Sequence, residues 1–230
     1  MTISVIIPTL NEETALAQTL AHASALGLGE IIVVDGGSTD HTVRIAEAFC
    51  ADAPDARVLT APRGRARQLN EGAKASRGEI LLFLHADTRL PQNAARIIQA
   101  TMADPRMAGG RFDVRFDPPS TWGAVISVFM NWRSRLSGIA TGDQAIFVRR
   151  QIFERLGGFA DIPLMEDIEF SSRLKRAGAT AALRDTVITS FRRWEQQGPL
   201  QTVLLMWVLR FLYWIGVSPH RLKNFYAAIR

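Results

Sequence analysis

"GEILLFLHADTRLP", residues 78–91, sets five consecutive apolar residues, 80–84, directly before His85, Ala86 and Asp87, and Pro91 closes the segment. A short, uninterrupted apolar run bounded by turn residues is the pattern of a strand buried on both faces, as in a parallel sheet covered by helices. Strands of that kind end at the rim where α/β proteins bind their ligands. The imidazole and carboxylate that finish this one are therefore either surface punctuation or the reason the strand is there. In extended geometry His85 and Asp87 lie on one side of the chain, so both would reach one ligand.

The neighbouring sequence repeats the theme. Residues 3–7 and 31–34 read as further buried strands, and 12–25 as a helix with Leu16, Leu20 and Ala23 on one face. Helices over 42–51 and 65–75 and a short strand near Val58 complete an alternating βα pattern. That alternation predicts an α/β fold, a Rossmann-like and mostly parallel sheet flanked by helices. The second half is less regular. Pro118 and Pro119 break the chain before a helix over 121–136, residues 145–148 read as a strand, and 167–177 as a helix. With no repeat, low-complexity tract or linker, the 230 residues read as one domain, comprising halves 1–110 and 111–198 and a helical C-terminal segment, 199–230.

Composition narrows the function classes. The chain is 47% hydrophobic and 21% charged, an ordinary globular balance, and Cys50 is its only cysteine, so no intrachain disulfide forms. The first twenty residues carry no basic segment ahead of an apolar run, which predicts no secretory leader and a cytoplasmic location. The net charge of +5 is uneven. Residues 1–169 hold 17 Lys plus Arg against 20 Asp plus Glu, whereas 170–230 hold 10 against 2. No zinc finger, RNA-binding strand motif or basic heptad accompanies the basic end, so nucleic acid ranks below an anionic membrane surface as its partner.

Three predicted strands end in "PTLNEE", "DGGSTD" and "HADT". Each alone is ordinary turn and capping chemistry. Three carboxylate-bearing ends on one rim repel one another unless a cation or a donor-rich ligand is present. A nucleotide offers imide, amino and ribose hydroxyl donors to an acceptor such as Asp35. Its diphosphate calls for Mg²⁺ or Mn²⁺, hard ions held by one or two carboxylates plus phosphate oxygens. Asp87 is the candidate carboxylate, and His85 is either a second ligand, a phosphate contact or a hydrogen-bonded bystander.

"SVIIPTLNEE", "IIVVDGGSTDHT", "RGRARQLNEGAKASRGEILLFLHADT" and "GGFADIPLMEDIEFSSRLKRAG" together resemble the family-2 glycosyltransferases, in the family's order over most of residues 1–180. In detail they look like a small bacterial subgroup named for its association with radical-SAM and selenium-related genes. The resemblance implies a GT-A fold and transfer of a sugar from a UDP- or GDP-linked donor to a hydroxyl acceptor of unknown identity. It further implies that Pro8, Thr9, Asn11 and Glu12 cradle the base and ribose, with Asp35, Gly36 and Ser38 at the nucleoside. Arg63, Arg67 and Asn70 would lie near the nucleotide, and Ala86 and Asp87 would end an Asp-x-Asp-like element that binds Mg²⁺ or Mn²⁺. Glu166 and Asp167 would supply the general base, and Arg193 would approach the diphosphate. His85 stands where the family usually has the first acid of the metal element.

The chemistry asks for the same groups. Breaking the bond between sugar and diphosphate builds negative charge on the leaving group, which a cation at Asp87 would stabilise. The acceptor hydroxyl must lose a proton as it attacks, which Asp167 is placed to take. One carboxylate acting by direct displacement predicts inversion at the anomeric carbon. Arg63, Arg65 and Arg67 are either a phosphate clamp or a solvated face, and Gly142, Asp143 and Gln144 either touch substrate or form a turn. The competing classes are a nucleotidyltransferase, whose glycine-rich loop "PTLNEE" lacks, a non-catalytic nucleotide-sugar-binding protein, and a polyprenyl-phosphate glycosyltransferase.

Residues 203–217 are apolar except for Arg210 and Gly216, too greasy for an ordinary surface helix and too short to span a bilayer. They predict a helix buried in the core or in a homo-oligomer, one lying in a membrane interface beside Trp207, Tyr213 and Trp214, or a lid over an apolar acceptor.

Overall fold

The computed structural model describes residues 1–229; the side chains of Arg193, Gln196, Gln197 and 227–229 lie outside the described residues. The first half runs β1 (Ile3–Thr9), α1 (Leu16–Ala25), β2 (Gly29–Asp35), α2 (Thr42–Asp52), β3 (Ala56–Thr60), α3 (Arg65–Ala75), β4 (Ile80–Phe83), β5 (Thr88–Arg89) and α4 (Ala94–Met102). The second half runs β6 (Met107–Asp117), α5 (Thr121–Ser137), a 3₁₀ turn (Gly142–Gln144), β7 (Phe147–Arg149), α6 (Arg150–Arg155), α7 (Glu166–Ala177), β8 (Ala179–Ser190), α8 (Arg192–Gln197), α9 (Pro199–Trp214) and α10 (Pro219–Ile229).

One eight-stranded sheet, ordered β3-β2-β1-β4-β7-β6-β8-β5, carries the whole arrangement. Pairing is parallel from β3 through β4, where β1 meets β2 from Ile3↔Gly29 to Thr9↔Asp35 and β4 from Ile3↔Ile80 to Ile6↔Phe83. Beyond β4 the sheet is mixed: β7 is antiparallel to both β4 and β6, β8 is parallel to β6, and β5 is antiparallel to β8.

The apolar runs serve two cores. Val5, Ile7, Ile31, Val33, Ile80 and Leu82 face one side of the sheet, and Ile6, Ile32, Val34, Leu81 and Phe83 face the other. Alternate residues of a strand point to opposite faces, so strands buried on both faces need an unbroken apolar run.

Two local expectations change. Helix α1 begins at Leu16 rather than residue 12, because Asn11 adopts a left-handed backbone (φ 57°) and the next backbone amides bond elsewhere. Glu12 N–H donates to Thr42 Oγ1 at 2.7 Å and Glu13 N–H to Asp40 Oδ2 at 3.2 Å. The acidic loop is thereby tied to the start of α2. Extended geometry likewise ends at Phe83, and the chain turns, with Thr88 N–H donating to His85 O at 3.2 Å. Strand parity consequently does not relate His85 to Asp87.

The long strands β6 and β8 were not foreshadowed, and the greasy C-terminal segment is only half covered. In α9, Thr202 and Leu209 are buried, and a small cluster joins Leu209 to Met165 and Leu222. The opposite face, with Leu200, Leu204, Trp207, Phe211 and Trp214 three or four residues apart, is exposed. Helix α5 repeats this. Its N-cap is Ser120, whose Oγ accepts from Gly123 N–H at 3.0 Å, yet Trp122, Val125, Phe129, Trp132 and Leu136 stand exposed along one stripe. Among the described residues no helix is long and apolar enough to cross a membrane.

Candidate functional site

The carboxyl ends of β1, β2 and β4 line one rim, and the loops that follow β1 and β2 are interlocked. Asp35, 3% exposed, accepts from Gly37 N–H at 2.8 Å, Ser38 N–H at 2.9 Å and Ser38 Oγ–H. Asn11 joins the same loop, accepting at Oδ1 from Thr39 N–H at 2.8 Å while its own N–H donates to Ser38 Oγ at 2.9 Å. Beneath them Gln68, which the sequence reading passed over, donates from Nε2 to Thr9 O at 2.7 Å and Val34 O at 2.9 Å. Pro8, Asn11, Glu12 and Ser38 are thus the accessible part of this group, whereas Thr9, Asp35 and Gly36 are buried beneath them, with Asp35 as the internal tie of the loop.

The third strand end divides its two polar residues. Asp87 Oδ1 faces the hydroxyls of Thr88 and Thr189, at 3.5 and 3.4 Å, and Thr88 Oγ1–H donates to Thr189 at 2.9 Å. The carbonyl of the buried Ala86 accepts from Thr19 Oγ1 at 2.7 Å. His85 turns the other way. Its Nε2 contacts Arg65 Nη2 and its Nδ1 lies 3.2 Å from Asp143 Oδ1. Because the guanidinium only donates, Nε2 is the acceptor and Nδ1 carries the proton toward the carboxylate.

Arg65 links this chain to the acidic pair, with Nε 3.5 Å from Glu166 Oε1. Asp167 Oδ2 accepts from Gly142 N–H at 2.8 Å. Helix α7 holds the pair in its first turn and is pinned from behind by Phe170, 4.5 Å from the ring of Phe159, and by Ser171 Oγ–H donating to Ala140 O at 3.1 Å. Met165, just before the helix, takes a left-handed backbone (φ 70°), rare for an apolar residue and typical of functional turns. Residues 65, 85, 143, 166 and 167, drawn from four separate segments, thus make one polar chain.

Gly142 is needed for this convergence. A Cβ there would run into the Arg65 guanidinium and the His85 ring. Gly142→Ala is expected to lower stability by about 1–3 kcal/mol, as overpacking does, and to lower turnover as well. Denaturant titration checks it, and an unchanged midpoint would mean that the turn yields without consequence.

Burial raises the carboxyl of Glu166 above its ordinary 4.5, with Asp167 adding to the shift and Arg65 opposing it. A carboxyl raised by folding stabilises the protein fully below its unfolded value, and that contribution fades as pH climbs through the folded value. Glu166→Gln removes the dependence. Its melting temperature is therefore expected to gain on the wild type as pH rises from about 4 toward 7. A difference that moves the opposite way would show the Arg65 pair dominating.

Several sequence candidates lie apart from this chain. Arg67 pairs with Asp161 at 2.9 Å on the surface, and Arg63 is exposed. Asn70 is spent on the backbone of Phe159, donating to its O at 2.8 Å and accepting from its N–H at 2.9 Å. The side chain of Arg193 lies outside the described residues. Its neighbour Arg192 donates to Thr14 Oγ1 at 2.6 Å and lies 3.7 Å from Glu12 Oε2.

The donor set admits a divalent cation in one way. Among the described residues no three His, Cys, Asp or Glu side chains gather closely enough to hold one by themselves. His85 is engaged on both ring nitrogens, one by a guanidinium, so it does not fit as a ligand in this arrangement. Asp87 does fit, as the single carboxylate of a Mg²⁺ or Mn²⁺ ion that takes its other ligands from phosphate and water.

A sequence model described as "Glycosyl transferase family 2" matches residues 4–157. The chain is 30% identical over 216 residues to a probable glycosyltransferase, YdaM, of Bacillus subtilis (strain 168), covering 85% of this chain and 50% of that protein. It is 29% identical over 147 residues to an undecaprenyl-phosphate 4-deoxy-4-formamido-L-arabinose transferase of Pseudomonas aeruginosa (strain UCBPP-PA14), covering 60% of this chain and 41% of that one. The chain thus spans half or less of the length of these relatives. Among solved structures it resembles the mannosyltransferase PcManGT from Pyrobaculum calidifontis in complex with GDP-Man and Mn²⁺ (TM-score 0.66, 22% identity, 81% of this chain and 56% of that one). It also resembles S. aureus TarS 1-349 in complex with UDP-GlcNAc (TM-score 0.67, 18% identity, 83% and 58%). At these identities the two structures establish the GT-A-like fold alone.

Proposed function

Because the chain belongs to glycosyltransferase family 2, we propose that it moves a glycosyl group from a nucleoside-diphosphate sugar to an acceptor hydroxyl, with inversion, Asp167 acting as the general base. The observation that supports this reading is the hydrogen bond from Gly142 N–H to Asp167 Oδ2, which joins the acidic pair to the segment whose Asp143 meets His85. That hydrogen bond holds one carboxylate oxygen in place.

In this reading the rim of β1 and β2 receives the nucleoside and the diphosphate extends toward Asp87. The acceptor oxygen attacks the anomeric carbon, the bond from that carbon to the diphosphate oxygen breaks, and its electron pair leaves with the diphosphate. The acceptor proton passes to Asp167. A Mg²⁺ or Mn²⁺ ion held by Asp87, when bound, would offset charge on the departing diphosphate. Arg65, fixed between His85 and Glu166, supplies a positive group beside the reacting centre. The narrower likeness to the radical-SAM and selenium-associated subgroup belongs to this proposal and adds nothing about substrate. GDP-Man and UDP-GlcNAc in the similar structures recommend both guanosine and uridine donors for testing.

The test is a thermal-shift panel of nucleoside diphosphates and their sugars, with and without Mn²⁺, followed by release of diphosphate in the presence of acceptor. Donor at a hundred times its Kd should add about 2.7 kcal/mol, or roughly 5–10 °C for a chain of this size. No shift from any member of the panel would overturn the reading.

A further inference from the structure

Two arginines outside the polar chain converge on Asp167. Arg133 comes from α5, and Arg210 from α9, where it follows Leu209, which packs on Met165 two residues before Asp167; Asp143 and Asp167 act electrostatically on both guanidinium groups. Burial lowers both guanidinium pKa values, that of Arg133 to about 10. Both side chains are half-buried, and mutually repelling cations held partly out of water call for an anion between them. The resident carboxylates do not complete the set: Nε and Nη2 of Arg133 are buried without a hydrogen-bond partner among the described residues. A bidentate oxyanion is the ligand that such a fork matches.

Both arginines sit where a helix passes from its buried to its exposed face. Arg133 follows Trp132, 61% exposed, and is one turn from Phe129; Arg210 precedes Phe211 and is one turn from Trp207, 64% exposed. Each arginine therefore lies next to the exposed apolar stripe of its own helix. Apolar stripes bearing tryptophan, beside the exposed Arg221 and Lys223 of α10, are the composition of helices that settle at headgroup depth on anionic bilayers.

We propose that α5 and α9 rest on a bilayer and that Arg133 and Arg210 hold the phosphate of a lipid-borne acceptor, whose attacking oxygen is thereby brought against Asp167. The inference rests on the glycosyl-transfer reading for the role of Asp167, but the binding it describes is separate from donor binding. A hydroxyl beside the phosphate gives its proton to Asp167. An oxygen of a phosphate monoester is already ionised at neutral pH and has none to give.

The experiment is flotation of the full chain with neutral vesicles, the same vesicles carrying a long-chain alkyl phosphate, and vesicles carrying an anionic phospholipid with a hydroxyl-bearing head. Donor-induced thermal shift is measured in parallel. Phosphate-bearing vesicles are expected to bind at least roughly tenfold more tightly than neutral ones, the worth of a hydrogen bond to a charged group. The stronger of the two anionic arms identifies the head group. Arg133→Gln and Arg210→Gln should each lose that gain while keeping the neutral-vesicle affinity. Trp132→Glu with Phe211→Glu, both at exposed positions, should abolish vesicle binding and leave the donor shift intact. Equal binding to all vesicles, or a gain that survives both arginine variants, would overturn the phosphate subsite. A stable dimer without lipid that the Trp132→Glu, Phe211→Glu protein cannot form would assign the surface to a second copy instead. Loss of the donor shift in the wild type would count against the transfer reading and not against this one.

Discussion

Asp167→Asn is expected to bind donor almost as the wild type does while turnover on a hydroxyl acceptor falls by a factor on the order of 10²–10⁴, the usual worth of a positioned general base. The substitution preserves shape, and the side-chain oxygen can still accept from Gly142 N–H, at 2.8 Å in the native chain. Only the basic group is lost. Donor affinity is read from the thermal shift and chemistry from single-turnover release of diphosphate. If affinity and rate fall together, Asp167 is a binding or structural residue. If turnover survives, the acceptor oxygen was ionised before it attacked.

Asp87→Ala should have the largest effect on metal dependence. It removes the carboxylate proposed to hold the cation, and the hydroxyls of Thr88 and Thr189 that now face it cannot replace a charged oxygen. The Mn²⁺-dependent part of the donor-induced stabilisation, of the total of roughly 5–10 °C, should largely vanish. Nucleotide binding without Mn²⁺ should be nearly unchanged, since Asp35 and Asn11 organise that surface separately. A mutant that keeps the metal-dependent shift would move the cation elsewhere. His85→Gln, by contrast, should spare the shift and disturb the Arg65–Asp143 link.

The sequence by itself determined the apolar strand runs that fall within Ile3–Thr9, Gly29–Asp35 and Ile80–Phe83, because a strand buried on both faces must be apolar at every position. It likewise set the rim on which Asp35 and Asp87 end, and helix α3, whose bounds match the structure. Acidic and glycine-rich strand ends carried the family likeness, since each loop follows its strand directly. It did not show that the chain bends after Phe83, because a turn fixed by Thr88 and by pairing of β5 with β8 depends on residues a hundred positions away. Nor did it show that Asn70 and Arg67 look away from the rim, because which face of α3 meets the sheet is settled by what packs behind it. The joining of Arg65, His85, Asp143, Glu166 and Asp167 is tertiary throughout. Arg210 was visible as a lone charge in an apolar run, but its nearness to the acidic pair came only when α9 packed over Met165. Local pattern fixes which residues are buried along a strand or helix; the direction from which a charge arrives at a site is fixed by elements distant in the chain, and only folding supplies it.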